Sequence, residues 1–282
     1  MTKIAWVTDS TSILDEELKD HPDIYFIPLS IILDGEAYTD GVDLTAEELY
    51  AKLKTLKEPP KTSQPAIGAF KELYEQLSKE YDEIIAVLIS KKLSGTIDSS
   101  EQASKLLDKP VTTIDSKILT YPQTALIKKG IALAEQGATV EEIKGRLEEI
   151  CERNETYVLI GSLEQLHRSG RMSSAKFFLG SVLKVKPIIS IEDGALEVRD
   201  KARSEKKAKE KIFDQFRNAY QKNKFKEAWL LYGLHPETAK QWKVELEAEY
   251  KEVQFSCYPL GAVIGVHAGE DTIGISWYNE EI

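Results

Sequence analysis

Only two cysteines occur in the 282 residues, Cys151 and Cys257, and they stand far apart in apolar surroundings. A metal site wants ligands clustered at short spacing, and no Cys-x-x-Cys or His-x-x-x-His pattern occurs. Both thiols are expected to be buried, and no metal is expected. Long apolar runs are missing too: nothing approaches the ~18 consecutive residues that a bilayer span needs. Met1-Thr2-Lys3 leads directly into the short apolar segment Ile4-Ala5-Trp6-Val7, with no small-residue cleavage site after it. A cytoplasmic location without stable membrane insertion is the expectation. Positive charge is in deficit, with 37 Lys and Arg against 47 Asp and Glu, a net charge of −10. That balance repels a phosphate backbone unless a basic face is sharply segregated. The basic stretch at 201–211 is interrupted by Glu205 and Glu210 and reads as a solvated helix face, so nucleic acid is not an expected partner. Motifs of nucleotide and ester chemistry are also absent: there is no G-x-x-x-x-G-K-[ST], no G-x-G-x-x-G and no G-x-S-x-G.

What remains is an ordinary globular composition, 42% hydrophobic and 30% charged, long enough for two packed domains. The first half alternates strands (4–7, 25–33 with a return at 36–38, 84–89, 111–114, 157–160) with helices (46–53, 66–79, 96–107, 123–136, 141–153). Thr45-Ala46-Glu47-Glu48 has the form of a capping box, and Asp34-Gly35 marks a turn. Such alternation predicts a mostly parallel sheet wrapped by helices. The second half changes rhythm. An amphipathic helix at 173–183 precedes a hairpin, 187–191 and 195–198, turned by Asp193-Gly194. Helices at 204–222 and 236–250 then alternate with strands at 228–232, 253–258 and 273–278, which suits a mixed or antiparallel sheet. The predicted fold is therefore α/β in two domains, 1–160 and 161–282. No low-complexity linker separates them, so they are expected to pack tightly.

Several segments carry candidate chemistry. Ser94-Gly95-Thr96 joins a buried strand to a helix, where unpaired leading amides and the macrodipole favour an anion. A carboxylate, a phosphate or a plain helix cap all fit it. Asp9-Ser10 lies in a polar loop at the carboxyl edge of the same sheet, where open α/β folds bind ligands. Thr62 belongs to the hydroxyl-rich loop Lys61-Thr62-Ser63-Gln64-Pro65, and taken separately both of these segments also read as ordinary loop and cap residues. The apolar run 262–266 reads as a strand ending at His267, either an imidazole able to meet a carboxylate or, as lone histidines more often are, a structural residue. His21 and His235 sit among polar loop neighbours and carry no such case. Arg171, in Ser169-Gly170-Arg171-Met172, suits an anion or a structural ion pair. The helix behind it is unusually apolar. Phe177, Phe178, Leu179 and Val182 form either ordinary core or the lining of a long hydrophobic slot.

Six of these segments, in order, resemble the DegV family. They are Thr8-Asp9-Ser10-Thr11, Tyr38-Thr39-Asp40-Gly41-Val42-Asp43, Thr62-Ser63-Gln64-Pro65, Leu93-Ser94-Gly95-Thr96, Gly170-Arg171-Met172-Ser173 with the following Leu183-Lys184-Val185-Lys186-Pro187-Ile188, and His267-Ala268-Gly269 with Gly274. The resemblance implies a long-chain fatty acid as ligand, no cofactor, and a role like that of the acyl-binding subunits of bacterial fatty acid kinase. By carry-over, Thr62, Ser94 and His267 surround the carboxyl group, with the acyl chain in a slot between the two domains. Arg171 supports that network or faces the kinase, as do Asp9, Ser10, Gly95 and Thr96. A separate catalytic subunit would then phosphorylate the bound carboxylate for phospholipid synthesis. The rival reading from the residues is a hydrolase or transferase using Ser94 and His267.

The sequence departs from the family pattern in two places. Tyr121-Pro122-Gln123 stands where many relatives carry Gly-x-Gly, and is expected to narrow and stiffen that turn. Glu270-Asp271 replaces a Pro-Gly after the late glycine, and two carboxylates there would raise the pKa of His267 or discourage an anion.

Overall fold

The computed structural model describes residues 2–109, 111–172 and 185–282. Four strands, β1 (Ile4–Asp9), β2 (Ile24–Ile27), β6 (Glu83–Leu88) and β7 (Thr112–Asp115), form an all-parallel sheet in the order β2-β1-β6-β7. All six residues of β1 are buried, as expected when helices cover both faces. Alternate side chains feed two cores. Ala5, Val7, Ala86 and Leu88 pack with Phe70 and Tyr74 of α2 (Ile67–Leu77) and with Ile97 and Ala103 of α3 (Thr96–Ser104). Trp6, Ile85 and Val87 share a core with Ile127 of α4 (Tyr121–Glu135) and Leu147 of α5 (Val140–Cys151).

The predicted strand at 25–33 is two strands. Pro28 separates β2 from β3 (Ser30–Leu33), and β3 leaves the parallel sheet to join a three-stranded antiparallel one with β4 (Glu36–Thr39) and β5 (Lys61–Ser63). A proline offers no N–H to a ladder, so a change of sheet at this point costs little. Asp34 and Gly35 turn the β3–β4 hairpin with φ of 49° and 88°, the signature of a type I′ turn. The capping box is formed as read: Thr45 and Glu48 bond each other's backbone N–H at the start of α1 (Ala46–Leu53).

The second sheet has six strands in the order β10-β9-β8-β13-β11-β12. They are β8 (Asn154–Leu159), β9 (Lys186–Glu192), β10 (Ala195–Ala202), β11 (Glu227–Tyr232), β12 (Gln254–Pro259) and β13 (Ile273–Tyr278). The β11–β12 pair is parallel and the others antiparallel. This corrects one placement. The strand expected at 157–160 continues the strand–helix alternation, yet it pairs with β9 and β13 of the second sheet. Alternation reports where strands are, and says nothing of which sheet receives them. The Asp193-Gly194 hairpin is confirmed, with φ of 46° and 81° at the two turn residues. Helices α7 (Glu205–Asn223) and α8 (Pro236–Glu249) cover one face of this sheet over an aromatic core of Phe216, Phe225, Phe255, Trp242 and Trp277. The opposite face meets the parallel sheet's helices. Trp229 lies against Tyr121 at a centroid distance of 5.4 Å, and the Tyr278 hydroxyl donates to the Pro122 carbonyl at 3.0 Å.

A second correction concerns residues 262–266, which form α9 (Ala262–Ala268) rather than a strand. A short continuous apolar run has no periodicity to separate a buried strand from a buried helix. Gly261 and Gly269, at φ of 81° and 87°, bracket the helix. The segment predicted as a helix at 173–183, with Phe177, Phe178, Leu179 and Val182, falls outside the described residues apart from the turn before it.

Candidate functional site

Between the two large sheets lies a slot walled mostly by apolar side chains, as ligand pockets are. Its walls come from widely separated segments: Leu29, Ile89 and Leu93, Ile118 and Leu119, Val158 and Ile160, Ile191 and Leu196, Leu231, and Leu260 with Val263 and Ile264. The same cavity is lined by Thr62, Ser94, Arg171 and His267. The structure thus brings together four of the residues singled out from the sequence and gives them an apolar enclosure.

Each arrives by a different route. Thr62 is the middle residue of β5, held in register opposite Ile31. Its hydroxyl lies 2.9 Å from His267 Nε2. His267 occupies the last turn of α9, of whose seven residues six others are buried. That helix packs so closely on α1 that a Cβ at Gly265 would stand 2.5 Å from the Tyr50 hydroxyl. Ser94 sits just ahead of α3, and its hydroxyl pairs with that of Thr96 at 2.8 Å. Neither hydroxyl caps the helix, because the N-cap position is Gly95 and no side chain bonds there. Gly95 itself serves loop-to-loop packing: a Cβ would meet Gln64 Nε2 at 2.8 Å. Arg171 follows α6 (Leu163–Arg168) and Gly170, whose φ of 74° turns the chain as helix-terminal glycines do. Its guanidinium is held by main-chain carbonyls, Ser169 at 2.7 Å and Leu93 at 3.4 Å.

The electrostatics follow from this enclosure. No carboxylate pairs with Arg171 among the described residues, and burial depresses its pKa. A half-buried cation without a counter-charge is costly unless an anion joins it. Burial, with the neighbouring Arg171 charge, pushes His267 down to about 3. This overturns the expectation that Glu270 and Asp271 would raise it. Glu270 points to Lys54 at 3.5 Å and Asp271 lies 3.8 Å from His235. His267 is therefore a neutral imidazole at physiological pH. Its Nδ1 is buried without a hydrogen-bond partner among the described residues. A proton on Nε2 leaves Nδ1 as a bare acceptor instead of an orphaned N–H, the cheaper arrangement. Nε2–H then donates to Thr62, and the Thr62 hydroxyl is left to donate onward.

A pH prediction follows. The unfolded histidine takes up its proton near 6.5, while the folded one resists it to about 3. Stability should therefore fall as pH drops below ~6.5, by up to roughly 1.4 kcal/mol per unit and about 3 kcal/mol by pH 4. Buried Asp9 and Asp40 have raised pKa values and act in the opposite sense. The difference between wild-type and His267→Gln urea melts isolates the histidine. A difference that stays level from pH 7 to 4 would contradict the buried neutral imidazole.

Asp9 and Ser10 do not line the slot. The Asp9 carboxylate is fully buried and accepts from the amides of Thr11 and Ile89 at 2.9 and 2.7 Å and from Gln123 Nε2 at 3.3 Å. Ser10 accepts from the Leu29 amide at 3.0 Å. Both hold slot-lining segments from behind. The Tyr121 departure also points away from the slot: its ring stacks on Tyr258 at 3.6 Å and its hydroxyl donates to Asp15 at 2.7 Å. Gln123, the last residue of that departure, is drawn into the Asp9 network instead. The apolar lining was missed from sequence because each wall residue is an ordinary core residue of its own strand or helix. Among the described residues no cluster of His, Cys, Asp or Glu could hold a metal ion.

An α/β protein of two packed sheets, with an apolar slot headed by hydroxyls, a neutral imidazole and a guanidinium that has no acid partner among the described residues, has the build of a binding protein for an amphiphilic anion. Family and fold comparisons narrow that class. A family model described as "Uncharacterised protein, DegV family" matches residues 3–280, and the chain belongs to the DegV family. It is 36% identical to Protein DegV of Bacillus subtilis, covering 97% of this chain and 98% of that one. A DegV domain-containing protein of Halalkalibacterium halodurans is 35% identical over the full length of both. Among solved structures, a DegV family protein from Thermus thermophilus described by its fatty acid binding superposes with a TM-score of 0.90 at 32% identity, covering 98% of this chain and 99% of that one. DegV of B. subtilis, described as a fatty acid binding protein, gives 0.88 at 34% identity, covering 99% of each. A stearic acid-binding protein from Eubacterium ventriosum gives 0.87 at 27%, covering 98% of this chain and 97% of that one.

Proposed function

We propose that this protein holds one long-chain fatty acid in the slot, with its carboxylate against Arg171, Thr62 and Ser94. The observation that carries this reading is an apolar slot ending at a guanidinium with no acid partner among the described residues. The fatty-acid binding of its structural relatives supports it. His267 would orient the Thr62 hydroxyl toward the ligand, with Thr96 doing the same for Ser94. The carboxyl group is then presented to the catalytic subunit of a fatty acid kinase in the cytoplasm, giving an acyl phosphate for phospholipid synthesis. The lack of a nucleotide motif in the sequence supports a separate catalytic subunit. Among the described residues no helix is long and apolar enough to cross a membrane.

Solvent extraction and mass spectrometry of the freshly purified protein test the first step. One free fatty acid per chain is expected, and a protein that is empty and also fails to bind added fatty acids would overturn the reading. For the second step, acyl phosphate should form only when ATP and a bacterial fatty acid kinase catalytic subunit are both added.

The hydrolase reading has less support. Ser94 pairs with Thr96 and His267 with Thr62, and an imidazole with a pKa near 3 is a poor general base at neutral pH. Ser94→Ala should therefore change fatty-acid affinity by only about 1 kcal/mol, the net value of one hydrogen bond. Phosphorylation by the kinase should fall further than affinity does, because the hydroxyl orients the head. Turnover of an activated ester by the wild type that vanishes in Ser94→Ala would instead revive the enzyme.

A further inference from the structure

The slot shares two of its wall residues, Thr156 and Ile191, with a second, partly open cavity. The two cavities differ in chemistry. The second is bordered by Lys117, Glu152, Glu155, Glu192, Asp193 and Arg199. These charges are largely engaged with one another: Lys117 pairs with Glu152 and Asp193, and Arg199 lies 3.6 Å from Glu192. Such a chamber solvates well and offers nothing to a hydrocarbon.

The strand β8 shows which end of the slot this is. Ile160, Val158 and Thr156 all line the slot, on one face of the chain. Just beyond Ile160, Ser162 N–H donates to the Ala268 carbonyl at 2.8 Å, next to His267, so Ile160 marks the head. Thr156 lies four residues further along, about 13 Å at the usual rise of a strand. Cross-strand pairing of Tyr157 with Ser190 brings Ile191 beside it. The Thr156 hydroxyl is already satisfied by Asn154 Oδ1 and Ser276 Oγ, both at 2.7 Å, so the residue presents a filled wall rather than an open donor.

We propose that Thr156 and Ile191 form the end stop of the acyl slot and set the longest chain that the protein holds. A methyl end that passes them leaves an apolar enclosure for a polar chamber and gains nothing from its further length. Below the stop, affinity should rise about fourfold per methylene, and beyond it the rise should cease.

This inference rests on the fatty-acid reading, and one experiment separates the two. Dissociation constants for saturated fatty acids of twelve to twenty carbons would be measured by fluorescence displacement for the wild type, Thr156→Leu and Ile191→Ala, each checked for a native melt. Thr156→Leu should move the optimum to shorter chains and weaken the longest acids by roughly 15-fold, the value of about two methylenes. Ile191→Ala should move it to longer chains, and it carries the test alone if the leucine variant does not fold. An optimum unmoved in the folded variants would overturn the end stop while leaving the carrier intact. A wild type with no affinity for any of the acids would overturn both.

Discussion

Shortening the ligand from sixteen to eight carbons is expected to weaken binding by four to five orders of magnitude. Eight methylenes at about 0.8 kcal/mol each amount to roughly 6 kcal/mol of lost transfer energy. The slot walls named above are almost entirely aliphatic side chains from both sheets, so nothing polar in mid-slot compensates a shorter chain. Neutral hydrogen bonds from the head residues contribute only ~1 kcal/mol each. Affinity should therefore reside mainly in the tail, and the head residues should decide orientation and the preference for a free acid. Isothermal titration with acids of eight to sixteen carbons checks this through the slope against chain length. A slope below about twofold per methylene would mean that the chain does not lie in the slot.

Arg171→Met should weaken palmitate binding by about 3 kcal/mol, roughly 100-fold or more, the usual cost of deleting one partner of a desolvated charge pair. The protein without ligand should respond in the opposite way. There the guanidinium has no acid partner among the described residues, so replacing it with an apolar side chain of similar reach should leave stability unchanged or raise it. Loss of affinity without loss of stability marks a residue that exists for its ligand. The methyl ester of palmitate offers a matching control, since it should bind the wild type about as weakly as the acid binds the variant. Retention of the acid's affinity within threefold would show that Arg171 is not the charge partner and would move attention to the Thr62–His267 pair.

The positions of these groups illustrate how far a linear reading reaches. Thr62, Ser94, Arg171 and His267 were each recognisable from local signals and from the family motifs around them, and all four meet at one cavity. The functional weight among them was not recognisable. Arg171 was as compatible with a structural ion pair as with a ligand, and only the surroundings of its guanidinium separate these. Asp9 looked like a ligand loop and is a buried clamp, because an acid at the end of a strand has the same local sequence whether it faces a cleft or the next strand. For His267, neighbouring acids in the sequence suggested a raised pKa, yet those carboxylates turn toward Lys54 and His235 and desolvation dominates.

By itself the sequence determined whatever depends on neighbours within a few residues. Hairpin turns need φ > 0 and were visible as Asp34-Gly35 and Asp193-Gly194. The capping box of α1 was visible in four letters, and the buried strands showed as apolar runs. Tertiary structure alone decided which sheet each strand joins, that 262–268 coils into a helix, and that Thr156 and Ile191 border both the slot and the polar chamber. The physical reason is range. Turn and cap preferences are local energies of the backbone. Sheet membership, cavity shape and the pKa of a buried group depend on contacts between residues as much as 200 positions apart and more, Thr62 and His267 among them, and no local signal encodes them.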